Sequence, residues 1–402
     1  MLRRAAVAAV AGALLFAGPP AMADDVRGGQ QAVIKTLRLT EAWRTSKGAG
    51  VLVAVLDSGV DPHHRDLAES VRVGKDFTAG ANPPGVSPSR LHGTYMASLI
   101  AGHGHGPQGK RGIIGVAPEA DVLSVRVILE DEEPGFREFN SAERFENVVA
   151  RGIRYAVDEG ADVINMSISK ELATREERAA IRYAISKGVV LVAAAGNEGD
   201  RKIDGDFAPY SYPAAFPGVV SVGATDRRLR RATFSNWNSS VLVAAPGVDI
   251  MGAGPGDEYW VGRGTSQATA LVSGVAALLK AKYPDMSPLL VARALADSAD
   301  DRPPGGYDTA TGFGVVNAAN ALAQAARLAG HTESATGAEA QDPAVPLAGG
   351  QAGPVKVIVR DERRVTVYTA IAAAAAVGAL ASLAVIFILV RRVRREHISQ
   401  DA

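Results

Sequence analysis

Four polar residues stand where apolar runs stop, and together their types could perform acyl transfer. Asp57 closes "VAVLDSGVD", His92 opens "HGTYMASLIAG", Asn197 follows "VVLVAAAG", and Ser266 lies in "VGRGTSQATALVSGVAALL". Each has an ordinary reading by itself. An aspartate before Gly59 suits a turn, and a histidine at a helix start can be structural. A serine opening an apolar helix is first of all an N-cap, whose oxygen accepts an orphan backbone N–H. As a set, however, they supply an acid, a base, a nucleophile and an amide donor. A serine hydroxyl becomes a competent nucleophile when an imidazole takes its proton. A carboxylate then holds the imidazole tautomer, and preorganised N–H groups meet the oxyanion of the tetrahedral intermediate. At a helix start the Ser266 backbone N–H is itself unpaired, and the dipole favours an anion there. Capping and catalysis are compatible at this position.

The elements that must hold these groups alternate between two patterns. Strand-like runs are "GVLVAVLDSG", "ADVLSVRVI", "ADVINMSIS", "VVLVAAAGN" and "VVSVGATD". Between them lie helical patterns: "HGTYMASLIAG", "SAERFENVVARGIRYAVDEG" over 141–160, and "TREERAAIRYAISKG". Nearly continuous apolar strands separated by amphipathic helices predict an α/β fold with a mostly parallel central sheet and helices on both faces. In such folds the functional residues gather beyond the carboxyl ends of the strands, which is where Asp57 and Asn197 fall.

The chain has 402 residues, with 43 Lys+Arg balancing 43 Asp+Glu. That balance points to no nucleic-acid partner. With no cysteine, disulfides, thiolate metal sites and cysteine nucleophiles are excluded. Residues 1–23 read as a secretory signal peptide: two arginines, an apolar run and Ala21-Met22-Ala23. An N-terminal extension over 24–45 precedes a domain over 46–328. Residues 329–364 are rich in Ala, Gly and Pro and read as a flexible linker and stem. The uncharged run 365–390 is long enough for a transmembrane helix, at roughly 39 Å against a hydrocarbon core of about 30 Å. The tail 391–402 opens with "RRVRREH", which the positive-inside rule keeps cytoplasmic. The expected topology is a single-pass protein of the cell membrane with its large domain extracytoplasmic.

The chain order Asp, His, Asn, Ser resembles the subtilisin-like serine proteases (peptidase family S8). The resemblance is carried by "VAVLDSGVD", "HGT" at 92–94, "AAGNEG", "GTS" at 264–266, "INMSIS", "YPAAFPGVVSVGA" and "TGFGVVNAANAL". It spans about Leu37 to Arg327. It implies that Asp57 orients His92, that His92 is base and then acid, that Ser266 attacks, and that the Asn197 amide supplies the oxyanion hole. The substrate would be a protein or peptide, hydrolysed through an acyl-enzyme. Substrate contacts would come from Ser167, Ile168 and Ser169, and from Ala194, Ala195 and Gly196 lining the specificity pocket with Glu198 at its rim. Two departures stand out. Gln267 follows the nucleophile where the family has an apolar residue, and Ser169 stands where it has glycine, which would narrow the groove and restrict substrate choice. The signal, linker, single helix and basic tail are similar to the mycosins, membrane-anchored proteases of type VII secretion systems. Unlike many mycosins, this chain lacks disulfides. About thirty residues between the signal and the Asp57 strand are too few for a folding prodomain of the usual subtilisin kind.

No cofactor is required. No metal ligand is assigned, and structural calcium is permitted by the resemblance without an assignable ligand set. His63, His64, His103 and His105 read as solvated loop histidines, and the acidic run "EDEEPGFRE", 130–138, as a solvated insertion loop. A reading from another class is a scaffold that stabilises a membrane secretion complex, with catalysis secondary or absent.

Overall fold

The computed structural model of the chain describes residues 23–201, 207–335 and Ser382. The expected signal peptide through residue 22, nearly all of the expected transmembrane helix over 365–390, and the basic tail lie outside the described residues. Among the described residues no helix is long and apolar enough to cross a membrane.

Three short helices come first, α1 (Ala23–Gly29), α2 (Gln31–Thr36) and α3 (Leu39–Ala42). Then come β1 (Leu52–Asp57), β2 (Val71–Asp76), α4 (Leu91–Ala101), β3 (His103–His105), β4 (Arg111–Ile114) and β5 (Asp121–Arg126). They are followed by α5 (Phe136–Ser141), α6 (Val148–Asp158), β6 (Val163–Met166), α7 (Arg175–Ser186), β7 (Val190–Ala194) and β8 (Val220–Thr225). The chain closes with β9 (Val243–Pro246), β10 (Ile250–Gly254), β11 (Glu258–Gly262), α8 (Thr265–Lys282), α9 (Pro288–Asp297) and α10 (Ala318–Ala335). The helix α10 thus runs on beyond residue 328 into the stretch read as linker.

The main sheet has the order β2-β5-β1-β6-β7-β8-β9, and every pairing in it is parallel. Both faces are covered, as the continuous apolar runs require. Side chains alternate between two cores. Val53, Val55, Val190 and Val192 face the core shared with Tyr95 and Met96 of α4 and Leu271 and Val275 of α8. Their neighbours Ala54, Leu56, Leu191 and Ala193 face the core shared with Ile153 of α6 and Ile181 of α7. Helix α8 is enclosed over nearly its whole length and packs on β6, β7, β8 and β9. That burial explains why α8 carries no charged residue before its last turn.

Several elements differ from expectation for identifiable reasons. The helix expected over 141–160 is broken into α5, a single 3-10 turn at Glu143–Phe145, and α6. Phe139 and Phe145 are both buried, with ring centroids 5.0 Å apart. On a straight helix residues six apart point about 120° from each other, and the bend after α5 brings the two rings together in one core. The edge strand β2 has no apolar run to announce it, since most of its side chains are solvent-facing. In α7 the Thr174 hydroxyl accepts the Glu177 N–H, and the Glu177 carboxylate returns to the Thr174 N–H, a full capping box.

The N-terminal extension is packed against the domain. Arg27 donates to the carbonyls of Gly109, Arg111 and Gly112, and Gln30 exchanges two hydrogen bonds with Ile114. Trp43 Nε1 donates to Val116 O at 2.8 Å, while Val26, Leu37 and Leu39 are buried.

Candidate active site

Strands β5, β1, β6 and β7 are neighbours in the sheet, so the residues that follow their carboxyl ends are brought together. Asp57 is the last residue of β1 and is fully buried. Its Oδ1 accepts from the Ser58 N–H at 2.8 Å and from His92 Nδ1 at 2.7 Å. A carboxylate can only accept here, so Nδ1 carries the proton and Nε2 is left with its lone pair. Asp57 Oδ2 is buried with no hydrogen-bond partner among the described residues. Both donors to this carboxylate, the Ser58 N–H and His92 Nδ1, therefore meet the same oxygen.

His92 is the second residue of α4, and Gly93 follows it because nothing larger fits. A Cβ on Gly93 would lie 2.1 Å from the Gly59 carbonyl oxygen. This close approach brings the start of α4 onto the loop after Asp57. Burial pulls the His92 pKa down, but the Asp57 charge, its hydrogen bond and the Glu130 charge more than offset it, and the imidazole ends above its ordinary value of 6.5.

Ser266 is the second residue of α8 and is 6% exposed. Its hydroxyl donates to the Ser167 carbonyl at 3.3 Å, and the Ser167 hydroxyl donates back to the Ser266 carbonyl at 3.1 Å. No hydrogen bond joins Ser266 to His92 among the described residues; such contacts commonly tighten only once substrate is bound. Ser266 is not the cap of α8, whose N-cap position is Gly264, with no side-chain cap. The amide of Asn197, just beyond β7, is fixed by Thr265. Its Oδ1 accepts both the Thr265 N–H and the Thr265 hydroxyl at 2.9 Å. Nδ2 is thereby turned away from Thr265 and left to donate. A Cβ on Gly264 would lie 3.5 Å from that Nδ2 and 3.7 Å from the Ser266 nitrogen. The atom nearest that point is an acceptor, Gln267 Oε1 at 2.8 Å, and the Asn197 amide and the Ser266 N–H both border this turn before α8.

The other sequence-expected residues divide. Ser167 is buried and bonded to Ser266 as above. Ile168 is 1% exposed and belongs to the core with α6 and α7, so it reaches the groove only through its backbone. Ser169 accepts the Ser211 hydroxyl at 2.7 Å, and Lys170 pairs antiparallel with Tyr212. Ala194 and Ala195 are buried beside Gly196. Glu198 is bound at its N–H and its carboxylate by Asn236, so this acid already has a partner at the rim. Gln267 turns away from the nucleophile into the body, between Gly262 and Gly264. It is fully buried, and its amide lies beside the Tyr95 hydroxyl.

Two expectations about loops are corrected. The acidic run is solvated only in part: Asp131, Glu132 and Glu138 are exposed, but Glu130 and Glu133 are buried, because cationic, hydroxyl and N–H partners meet them inside. Arg126 pairs with Glu133 at 2.5 Å, and Glu130 accepts from Ser58, Ser89 and the His92 N–H. Nor are the histidines all solvated. His64 is fully buried, edge-on to Tyr259. His105 Nδ1 lies 2.6 Å from the buried Asp66, and His103 bridges two backbone carbonyls. Of these four histidines, only His63 stands exposed. Ser58, Glu130, Thr265 and Asn236 are functional neighbours that sequence reasoning missed. Ser58 had the one usable signal, its place directly after Asp57.

The subtilase family model matches residues 48–314, and the chain belongs to that family. It is a subtilisin-like serine endopeptidase. It is similar to the major intracellular serine protease of Bacillus subtilis (strain 168), at 37% identity over 250 residues, covering 61% of this chain and 74% of the relative. Thermitase of Thermoactinomyces vulgaris is 37% identical over 243 residues, covering 60% of this chain and 79% of the relative. Among solved structures it is similar to MycP1 from Mycobacterium smegmatis, at 29% identity and TM-score 0.60, covering 79% and 88% of the two chains. A structure described as the serine protease MycP1, an essential component of the type VII (ESX-1) secretion system, matches at 31% identity and TM-score 0.60, covering 78% and 91%.

Proposed function

We propose that this endopeptidase acts outside the cytoplasm, tethered to the cell membrane by one helix over 365–390, in the service of a type VII secretion apparatus. In this reading His92 Nε2 takes the Ser266 proton as Oγ attacks the scissile carbonyl. The oxyanion is met by the Ser266 N–H and Asn197 Nδ2, and His92 then passes its proton to the leaving amine. Water, deprotonated by His92, cleaves the resulting acyl-enzyme and regenerates the Ser266 hydroxyl. The observation that carries the catalytic reading is the buried 2.7 Å hydrogen bond between His92 Nδ1 and Asp57, which presets the tautomer the base requires. The apolar run at 365–390 and the basic residues after it support the tether. The likeness to MycP1 supports the secretion partner.

The test is labelling of isolated membranes with a fluorophosphonate. Wild type is expected to label, Ser266→Ala is not, and removal of 365–390 should move the labelled band to the soluble fraction. A labelled band that is soluble in the full chain would refute the tether, and labelling retained in Ser266→Ala would refute the nucleophile. The description of MycP1 as an essential component favours a second reading, in which the chain also stabilises a complex. Full secretion by cells carrying only Ser266→Ala would establish that role, and lost secretion would assign the requirement to catalysis.

A further inference from the structure

The helix that carries His92 has no cap of its own. Its N-cap residue, Arg90, has φ 59° and makes no side-chain cap hydrogen bond. The first-turn N–H groups are nevertheless met, from elsewhere in the chain. Glu130 Oε1, 38 residues away in sequence, accepts the His92 N–H at 2.8 Å, and the Ser58 hydroxyl oxygen accepts the Gly93 N–H at 3.0 Å. The same Glu130 oxygen accepts the Ser58 hydroxyl at 2.6 Å, and Oε2 accepts the Ser89 hydroxyl at 2.6 Å. Ser58 in turn donates its N–H to Asp57 Oδ1, which holds His92 Nδ1. A closed ring therefore runs from the His92 backbone through Glu130, Ser58 and Asp57 back to the His92 ring. Glu130 is held from behind: its N–H donates to Glu133 at 3.1 Å, Glu133 pairs with Arg126, and Arg126 Nε donates to the Ser58 carbonyl at 3.1 Å.

We propose that Glu130 is a positioning residue of the active site, a buried carboxylate that sets His92 against Asp57 by holding the first turn of its helix and the residue after Asp57 together. This rests on the reading of His92 as the general base. A carboxylate at a helix start is favoured by the dipole, and hydrogen bonds to an ionised acceptor are about twice as strong as neutral ones. That suits a device which must hold a short helix end under load from an incoming substrate. Glu130 also acts through its charge. The acidic groups acting on the imidazole are Asp57 and Glu130. Arg90 flanks Gly59 at the helix entry, and Arg126, beside Ser58, is already paired with Glu133 and Asp76. The Glu130 charge stabilises the imidazolium that forms during attack.

The experiment compares wild type, E130Q and E130D by kcat, KM and the pH dependence of kcat/KM, with fluorophosphonate labelling of each. E130Q keeps an acceptor for the His92 N–H and loses the charge. Its acidic limb should move to lower pH, and kcat should fall about tenfold, within the roughly 10²-fold that an ångström of misplacement costs; KM should stay within about twofold, because no substrate contact is removed. E130D keeps the charge with a shorter reach, so its limb should stay in place while kcat falls. A loss of fold stability alone would move neither limb. E130Q with wild-type kcat and limb would overturn the proposal. If E130Q does not fold, E130D decides, and wild-type kcat in that variant would overturn it equally. Wild type that neither labels nor cleaves would instead overturn the reading of the site itself, together with this proposal.

Discussion

The contact between Gly93 and Gly59 offers a sharp test of how the site is held. In Gly93→Ala the new methyl would sit 2.1 Å from the Gly59 carbonyl oxygen, 2.8 Å from its carbon and 3.1 Å from its nitrogen. An ordinary carbon–oxygen contact is no closer than about 3.3 Å, so the start of α4 must retreat by about 1 Å. Nothing flexible can yield, because all three contacted atoms are backbone. Two effects on stability oppose each other. Alanine in a helix is favoured over glycine by about 1 kcal/mol, while overpacking costs about 1–3 kcal/mol; a net loss of about 0–2 kcal/mol follows. Catalysis has no such compensation. The retreat lengthens the 2.7 Å bond between His92 and Asp57 and breaks the grip of Ser58 on the Gly93 N–H. A misplacement of this size lowers kcat/KM by about 10²-fold. The assay is peptide hydrolysis together with urea unfolding of the same preparation. A folded Gly93→Ala enzyme with wild-type kcat/KM would show that the helix start does not set the geometry of the base.

Asn197→Ala should lower kcat by about 10²–10³-fold with the fold intact, the usual effect of losing one oxyanion donor; an unchanged kcat would remove that role. Because the His92 pKa is raised above 6.5, activity, which needs the neutral imidazole, should decline as pH falls through that raised value. The stability that His92 contributes has the opposite dependence: it is full below 6.5 and lost as pH climbs through the raised value. A kcat/KM limb lying below pH 6.5 would contradict both. Thr174→Ala opens the capping box of α7 and should cost about 1 kcal/mol without changing kcat, read by the same two assays.

The sequence by itself determined the parts of this protein that depend on near neighbours. Strands β1, β5, β6, β7 and β8 are legible because a strand buried on both faces needs an unbroken apolar run. Helix α7 is legible from its amphipathic pattern and α8 from the apolar run after Ser266. The residues Asp57, His92, Asn197 and Ser266 could be picked out because each ends a strand run or begins a helix, and the glycines beside them mark places where backbone meets backbone. Tertiary structure alone decided what lies between distant segments. The edge strand β2 carries no apolar pattern, since one margin of the sheet faces solvent, and the bend between α5 and α6 packs Phe139 against Phe145, a contact no local pattern announces. Glu130 and Glu133 read as surface acids, for nothing within their own stretch reveals Ser58, Ser89, the His92 N–H or Arg126. His64 read as a loop histidine until Tyr259 closed over it. A charge is placed inside only by the partners that meet it there, and those partners come from other parts of the chain.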